Sequence, residues 1–235
     1  MSKPNNVLII GAGVDCTTGI DLPPANRLLP EIAQFLEGEG KEFEKGLRSV
    51  LPHLKFSFQR FITSSVDSLS DKEPAELRHL VERVQEVTDR IKDKNDPVKK
   101  QGRLVVLLFE KLMSIQKASV IEDEIHDLII DVFGVDAADI AVGDSVVDLH
   151  KLSLSDTFKN VFKLTLKQSL HEDPNEVAIA LGSDMLNIEQ LMIEKFLGFY
   201  NEKPGDVKNY IYIAWCLWAY LVHQQRAIRD RLIGG

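Results

Sequence analysis

"VLIIGAGVDCTTGIDLPP", residues 7–24, is the stretch from which the fold of the N-terminal region is predicted. Residues 7–10 form an unbroken apolar run, which is typical of a strand buried on both faces, as in parallel sheets. Gly11 and Gly13 follow, and glycine lets the backbone turn sharply and approach a ligand, while successive amides attract phosphate oxygens. The stretch therefore predicts either a phosphate cradle or a tight strand exit without a ligand.

The ordinary dinucleotide fingerprint, GxGxxG, is not matched, because Cys16 stands at the third glycine position. Gly19 comes later, and Pro23 and Pro24 delay the next helix. This spacing disfavours a dehydrogenase of the common kind. From Pro24 onward the apolar residues recur with a helical period until Gly38.

The rest of the chain is predicted to be mostly helical, with a kink or a division near Pro52. A single parallel strand cannot satisfy its own backbone groups, so further strands are expected in the ambiguous segments 104–109, 139–147 or 177–181, or beyond this chain. The predicted fold class is α/β, predominantly α by residue count. A partial domain is one of the alternatives.

Composition narrows the functional classes. The chain has 235 residues and a formal net charge of -8, which disfavours a general nucleic-acid binder. Cys16 and Cys216 are the two cysteines, and their separation suggests neither a disulfide framework nor a zinc site. The apolar run 211–222 is shorter than the ~20 residues a bilayer requires, and residues 1–6 do not resemble a signal peptide. We therefore predict a cytoplasmic protein without membrane or nucleic-acid partners.

The glycine spacing resembles a known family. Gly11, Ala12 and Gly13, then five residues, then Gly19 and Ile20, followed by PPANRLLPEI, is similar to the start of sirtuin-type NAD-binding domains of the divergent group found in bacterial antiviral defence. The resemblance implies a Rossmann-like nucleotide-binding core with a large helical insertion. It divides the chain into a strand–loop–helix at 1–40, the insertion at 41–133, and the mixed turn and helical remainder of the same domain at 134–235.

The same resemblance implies a ligand and its contacts. Gly11, Ala12 and Gly13 would hold the phosphates of NAD or an ADP-ribose-type ligand, with Asp15, Thr17 and Gly19 nearby. The implied activity is NAD hydrolysis by a defence effector, an NAD glycohydrolase. The family's Thr-x-Asn segment, His-Gly step and zinc cysteines have no match in this sequence. No catalytic residue is therefore assigned, and protein deacylation is disfavoured. The alternative is a non-catalytic helical interaction or assembly module that retains the nucleotide-binding scaffold.

Four other features of the sequence bear on its function. The aspartates between 131 and 148 lack the alternation of a calcium loop, so no metal is predicted. Residues 121–149 resemble the opening of acyl carrier proteins but are not followed by their Asp-Ser-Leu, which leaves a carrier as the third alternative. The aromatic helix predicted at 207–232 is apolar nearly all round, which is typical of a helix that is buried or docked on a partner. We expect a homo-oligomer or a protein partner to bind through it. The histidines are expected at the surface, except that His223 could face a cleft.

Overall fold

The computed structural model describes residues 22–23, 27–51, 53–114, 123–133, 139–142, 145–148, 153–171, 173–202 and 206–233. Within these ranges the chain forms ten α-helices, one short 3-10 helix at Pro74–Leu77, and one two-stranded hairpin. The helices are α1 Leu28–Glu37, α2 Lys41–Val50, α3 Phe58–Ser70, α4 Arg78–Arg90, α5 Pro97–Met113, α6 Asp123–Phe133, α7 Leu154–Gln168, α8 Glu176–Met185, α9 Ile188–Glu202 and α10 Asp206–Ile233. The strands are β1 Asp139–Val142 and β2 Ser145–Asp148.

The predicted α/β fold with a Rossmann-like core is wrong for the described part of the chain, which is helical. There, the strands are β1 and β2, and they pair antiparallel with Asp139 opposite Asp148. The segments 104–109 and 177–181 lie in α5 and α8 and supply no strand. The predicted strand at 7–10 lies outside the described residues.

Helical signals that extend beyond the ambiguous apolar run explain why 104–109 is not a strand. Asp96 caps α5 by accepting hydrogen bonds from the amides of Val98 and Lys99, and Pro97 occupies the first helical position. Buried residues then recur at helical spacing, at Leu104, Val105, Leu108 and Phe109. Similarly, α8 begins where the Asn175 side chain accepts from the Ala178 amide.

Several helix boundaries predicted from the sequence are confirmed. The helix after Pro24 is α1, and it ends at Gly38 as predicted. The break expected near Pro52 separates α2 from α3, although Pro52 itself lies outside the described residues. His53, beside it, has a φ of 65°, a left-handed conformation that is uncommon for a non-glycine residue.

The chain divides into two compact units. Unit 2 is Arg60–Leu186, in which α4 packs on α5 and α8, and α5 also packs on α6 and α7. The helices α4 and α5 approach closely at Gly102, where an added Cβ would lie 1.9 Å from Thr88 Oγ1. A buried polar network joins α5 to α7 and the start of α8: Gln101 bonds to Thr165 and Gln168, and Asn175 donates to Gln101 Oε1 at 2.8 Å.

Unit 1 is made from the two ends of the chain, Met1–Gln59 and Asn187–Gly235. Its longest described helix, α10, packs against α1, α2 and α9. The buried face of α10 consists of Tyr212, Ile213, Cys216, Ala219 and Tyr220. Phe35 of α1 packs edge-to-face on Tyr220, with ring centroids 5.8 Å apart.

Candidate functional site

The predicted nucleotide-binding residues, Gly11, Ala12, Gly13, Asp15, Thr17 and Gly19, lie outside the described residues. What the structure describes of that region is the following helix, α1, which buries Leu29, Ile32 and Leu36. The prediction of a nucleotide cradle therefore stays a prediction.

An apolar groove lies in unit 1 between α9 and α10, next to the start of α1. Its volume is about 420 Å³, which is within the usual range for ligand or side-chain binding sites. Eight of its nine lining residues are apolar or aromatic and one, Glu189, is charged: Leu28, Ile188, Glu189, Met192, Ile193, Phe196, Tyr210, Leu217 and Leu221. The groove can bind apolar groups, but its lining offers one carboxylate and one phenol for acid–base chemistry.

An exposed apolar surface adjoins this groove; we call it the α9–α10 surface. It consists of Ile193, Phe196, Leu197, Trp215, Trp218 and Leu221. Trp215 and Trp218 are 50% and 56% exposed, and their rings contact each other with centroids 5.7 Å apart. Successive side chains of a helix are rotated by about 100°, so the apolar residues on most sides of α10 cannot all face the core. Those on the sides away from the core are therefore exposed.

A partly buried polar cluster joins α2 to Tyr212 on the buried face of α10. The Tyr212 hydroxyl donates to Glu44 Oε1 at 2.5 Å and accepts from the Phe58 amide at 3.3 Å. Arg48 donates to Glu44 Oε1 at 2.6 Å and to the carbonyl oxygens of Leu54 and Phe56 at 3.3 and 3.1 Å. These bonds attach the segment between α2 and α3 to both α2 and α10.

Burial governs the protonation of this cluster. Both Tyr212 and Cys216 are fully buried. Burial raises the pKa of Tyr212 well above its usual range, and its hydrogen bond to Glu44 acts in the same direction. Burial also raises the pKa of the Cys216 thiol to about 12. Because a thiol must ionise to act as a nucleophile, Cys216 is an inert core residue at neutral pH.

The structure also bears on His223, on a metal site and on a membrane-spanning helix. His223 Nε2 lies 2.7 Å from Glu39 Oε2, and its ring stacks near Phe35 with centroids 5.1 Å apart, so it is a partly exposed helix-packing residue. Within the described part of the chain, no group of three or more His, Cys, Asp or Glu side chains could hold a metal ion. Likewise, no helix there is both long enough and apolar enough to span a bilayer.

Sequence reasoning missed the polar cluster but identified the aromatic helix. The four-residue spacing of Glu44 and Arg48 is a recognisable helical pair. Nothing local links that pair to Tyr212, which is 164 residues from Arg48. The apolar periodicity of α10, in contrast, was visible as a local pattern.

Comparisons with known proteins give no relative to set beside this geometry. A scan against protein-family models, a search of curated proteins and a search of solved structures each returned no match.

Proposed function

We propose that the chain is a helical protein-interaction module that binds its partner through the α9–α10 surface and the adjoining groove. The observation that carries this proposal is the exposure of the contacting pair Trp215 and Trp218 on α10, and of Phe196 in the lining of the groove. Contiguous exposed aromatic and aliphatic side chains are unfavourable in water and commonly mark binding surfaces.

The shape of the site favours an apolar helix as the bound element. A groove between two helices accepts side chains that project at three- and four-residue intervals from one face of a partner helix. Ile193, Phe196 and Leu221 belong both to the groove and to the exposed surface, so a helix bound over Trp215 and Trp218 would reach the edge of the groove with its side chains.

The two tryptophans of the chain are both on this surface, so intrinsic fluorescence reports on it directly. We expect a neutral amphipathic helical peptide with a leucine stripe to shift the emission of the wild-type protein to shorter wavelength. Leu221→Lys should abolish the shift. Val50→Lys is the matched control, because Val50 is an exposed apolar residue of unit 1 on α2, and it should bind as the wild type does. No shift with the wild type, or equal loss in both variants, would refute the proposal.

A second candidate function is NAD binding, with hydrolysis of the nicotinamide–ribose bond in a bacterial defence role. What supports it is the spacing of Gly11, Ala12, Gly13, Gly19 and Ile20, in a segment that leads into α1. Asp15 and Thr17 are the remaining proposed contacts.

Calorimetry tests this second function separately. We expect heat on titration with NAD or ADP-ribose, and loss of that heat in Gly13→Val, because a side chain there would fill the space taken by a phosphate. Release of nicotinamide on incubation with NAD measures hydrolysis. Absence of heat at millimolar NAD would reject nucleotide binding and leave the interaction module as the one proposal.

A further inference from the structure

The outer face of α10 carries cations in line with its tryptophans. Lys208, Trp215 and Arg226 are spaced by seven and eleven residues, which places them on one side of a helix after two and three turns. Trp218 and Arg229 are likewise eleven residues apart. All three cations are exposed, so the aromatic pair is flanked by positive charge at both ends.

These cations stand out in a chain whose formal net charge is -8. Among the side chains that the structure places, no carboxylate forms an ion pair with Lys208 or Arg226, and Arg229 lies 3.4 Å from Asp230, its exposed neighbour. The groove-lining Glu189 is on α9, and by helical spacing the groove residues Leu217 and Leu221 are turned away from the line of Lys208 and Arg226. The α10 face is therefore locally basic.

The charge arrangement disfavours a second copy of this chain as the occupant. If two α10 helices pair antiparallel about Leu217, Lys208 of each lies opposite Arg226 of the other. If they pair in parallel, each cation faces its own counterpart. Both arrangements bring like charges together beside a desolvated aromatic contact, which is unfavourable.

We propose that the partner is an amphipathic helix of another protein whose apolar stripe is flanked at both ends by Asp or Glu. This inference rests on the proposed interaction function and specifies its partner. From Lys208 to Arg229 the helix rises about 32 Å, so a partner must be helical over ~20 residues to reach all three cations. Its carboxylates would pair with Lys208, Arg226 and Arg229, and its apolar side chains would cover Trp215 and Trp218.

The test uses three peptides with the same leucine stripe and with Glu, Gln or Lys at both ends. Affinity is measured through tryptophan emission of the full chain, at low salt and at 0.5 M NaCl. We expect the Glu peptide to bind about tenfold more tightly than the Lys peptide, because several partly exposed ion pairs each contribute modestly. Salt should reduce this ratio.

Variants assign the effect to these cations. In a variant carrying Lys208→Gln, Arg226→Gln and Arg229→Gln, the Glu and Lys peptides should bind equally, while the Gln peptide binds as it does to the wild type. Lys45→Gln, an exposed change on α2, should leave the preference intact.

Each alternative result has a distinct meaning. Equal binding of all three peptides by the wild type would overturn the acidic partner but leave the interaction function standing. No binding of any peptide would remove both. Two other outcomes would overturn the inference by identifying a different occupant. One is an emission shift with phosphatidylcholine–phosphatidylglycerol vesicles but not with peptides; the other is a dimer in sedimentation that Trp218→Glu abolishes.

Discussion

Tyr212 and Cys216 show how burial, as the largest influence, sets the chemistry of single residues in this protein. Neither side chain is accessible to water, so the ionised form of each is unfavourable in the folded state. The unfolded chain has no such restriction, and its cysteine and tyrosine side chains ionise near pH 8.5 and about 10. The folded protein therefore keeps protons that the unfolded chain releases.

Stability should fall as the pH rises above about 9, since the native state binds more protons there. The contribution of Cys216 is fully present below the pKa of an unfolded cysteine and is lost as the pH rises towards about 12. Urea unfolding between pH 8 and 10.5 measures this, and the slope for one fully titrating group is about 1.4 kcal/mol per pH unit. Cys216→Ala should give a flatter curve. A curve of unchanged shape would show that the thiol does not contribute.

Gly102 is constrained by the narrow space between α5 and Thr88 of α4. Replacing a helical glycine with alanine normally stabilises a protein by about 0.5–1 kcal/mol. At Gly102 the new Cβ would overlap Thr88 Oγ1, so we expect Gly102→Ala to destabilise by about 1–3 kcal/mol.

Two further variants test that explanation by thermal unfolding. Gly46→Ala, on α2 with no atom within 4 Å of the new Cβ, should stabilise the protein. Adding Thr88→Ala to Gly102→Ala should recover part of the loss, because it removes the overlapping hydroxyl. Equal effects of Gly46→Ala and Gly102→Ala would contradict the close approach.

At the scale of elements, Arg48 holds the connection between α2 and α3. Its guanidinium bonds to two carbonyl oxygens of that segment while pairing with Glu44, which requires a fork of several donors. The lysine ammonium is a compact group and cannot match this arrangement.

We therefore expect Arg48→Lys to destabilise the protein nearly as much as Arg48→Met, by about 1–3 kcal/mol in urea unfolding. Amide exchange at Phe58 should also speed up, because its acceptor Tyr212 would lose support. Lys45→Met is the control on the same helix, since its pair with Glu42 is highly exposed, and it should change stability by under ~0.5 kcal/mol. Retention of full stability in Arg48→Lys would show that charge alone suffices.

Helices were predictable from sequence where the apolar period was long and its ends were marked. α1, for example, ends at the predicted Gly38, whereas α5, despite its Asp96–Pro97 start, contains the run 104–109 that the sequence left ambiguous. The α/β prediction failed because the one proposed strand required other strands to pair with. Those strands were expected in short apolar runs, and such runs fit a helix as well as a strand. The aromatic helix predicted from the sequence indicated the α9–α10 surface. The groove also requires α9 and Leu28, and no local sequence pattern connects these to α10.

At the scale of the whole molecule, unit 2 has a core of its own. Val84, Leu104, Leu108, Phe162 and Leu181 are all fully buried, and they come from α4, α5, α7 and α8. A fragment of residues 58–186 keeps α3 intact and contains all of these helices.

We expect this fragment to fold, with a helical circular dichroism spectrum and a cooperative thermal transition. Leu104→Ala within it should lower stability by about 2–5 kcal/mol, as for other large core truncations. A spectrum without helix, or a melting curve that Leu104→Ala does not alter, would show that unit 2 depends on the rest of the chain.

The construction of unit 1 from both ends of the chain has a consequence during synthesis. Its helices α1 and α2 leave the ribosome early, but α9 and α10 are translated only after all of unit 2. Translation proceeds at ~5–20 residues per second, so the apolar faces of the nascent N-terminal helices stay uncovered for many seconds. Closing that long loop also carries an entropic cost. We therefore expect the apolar face of α1 in newly made chains to need chaperone protection until α10 has been translated.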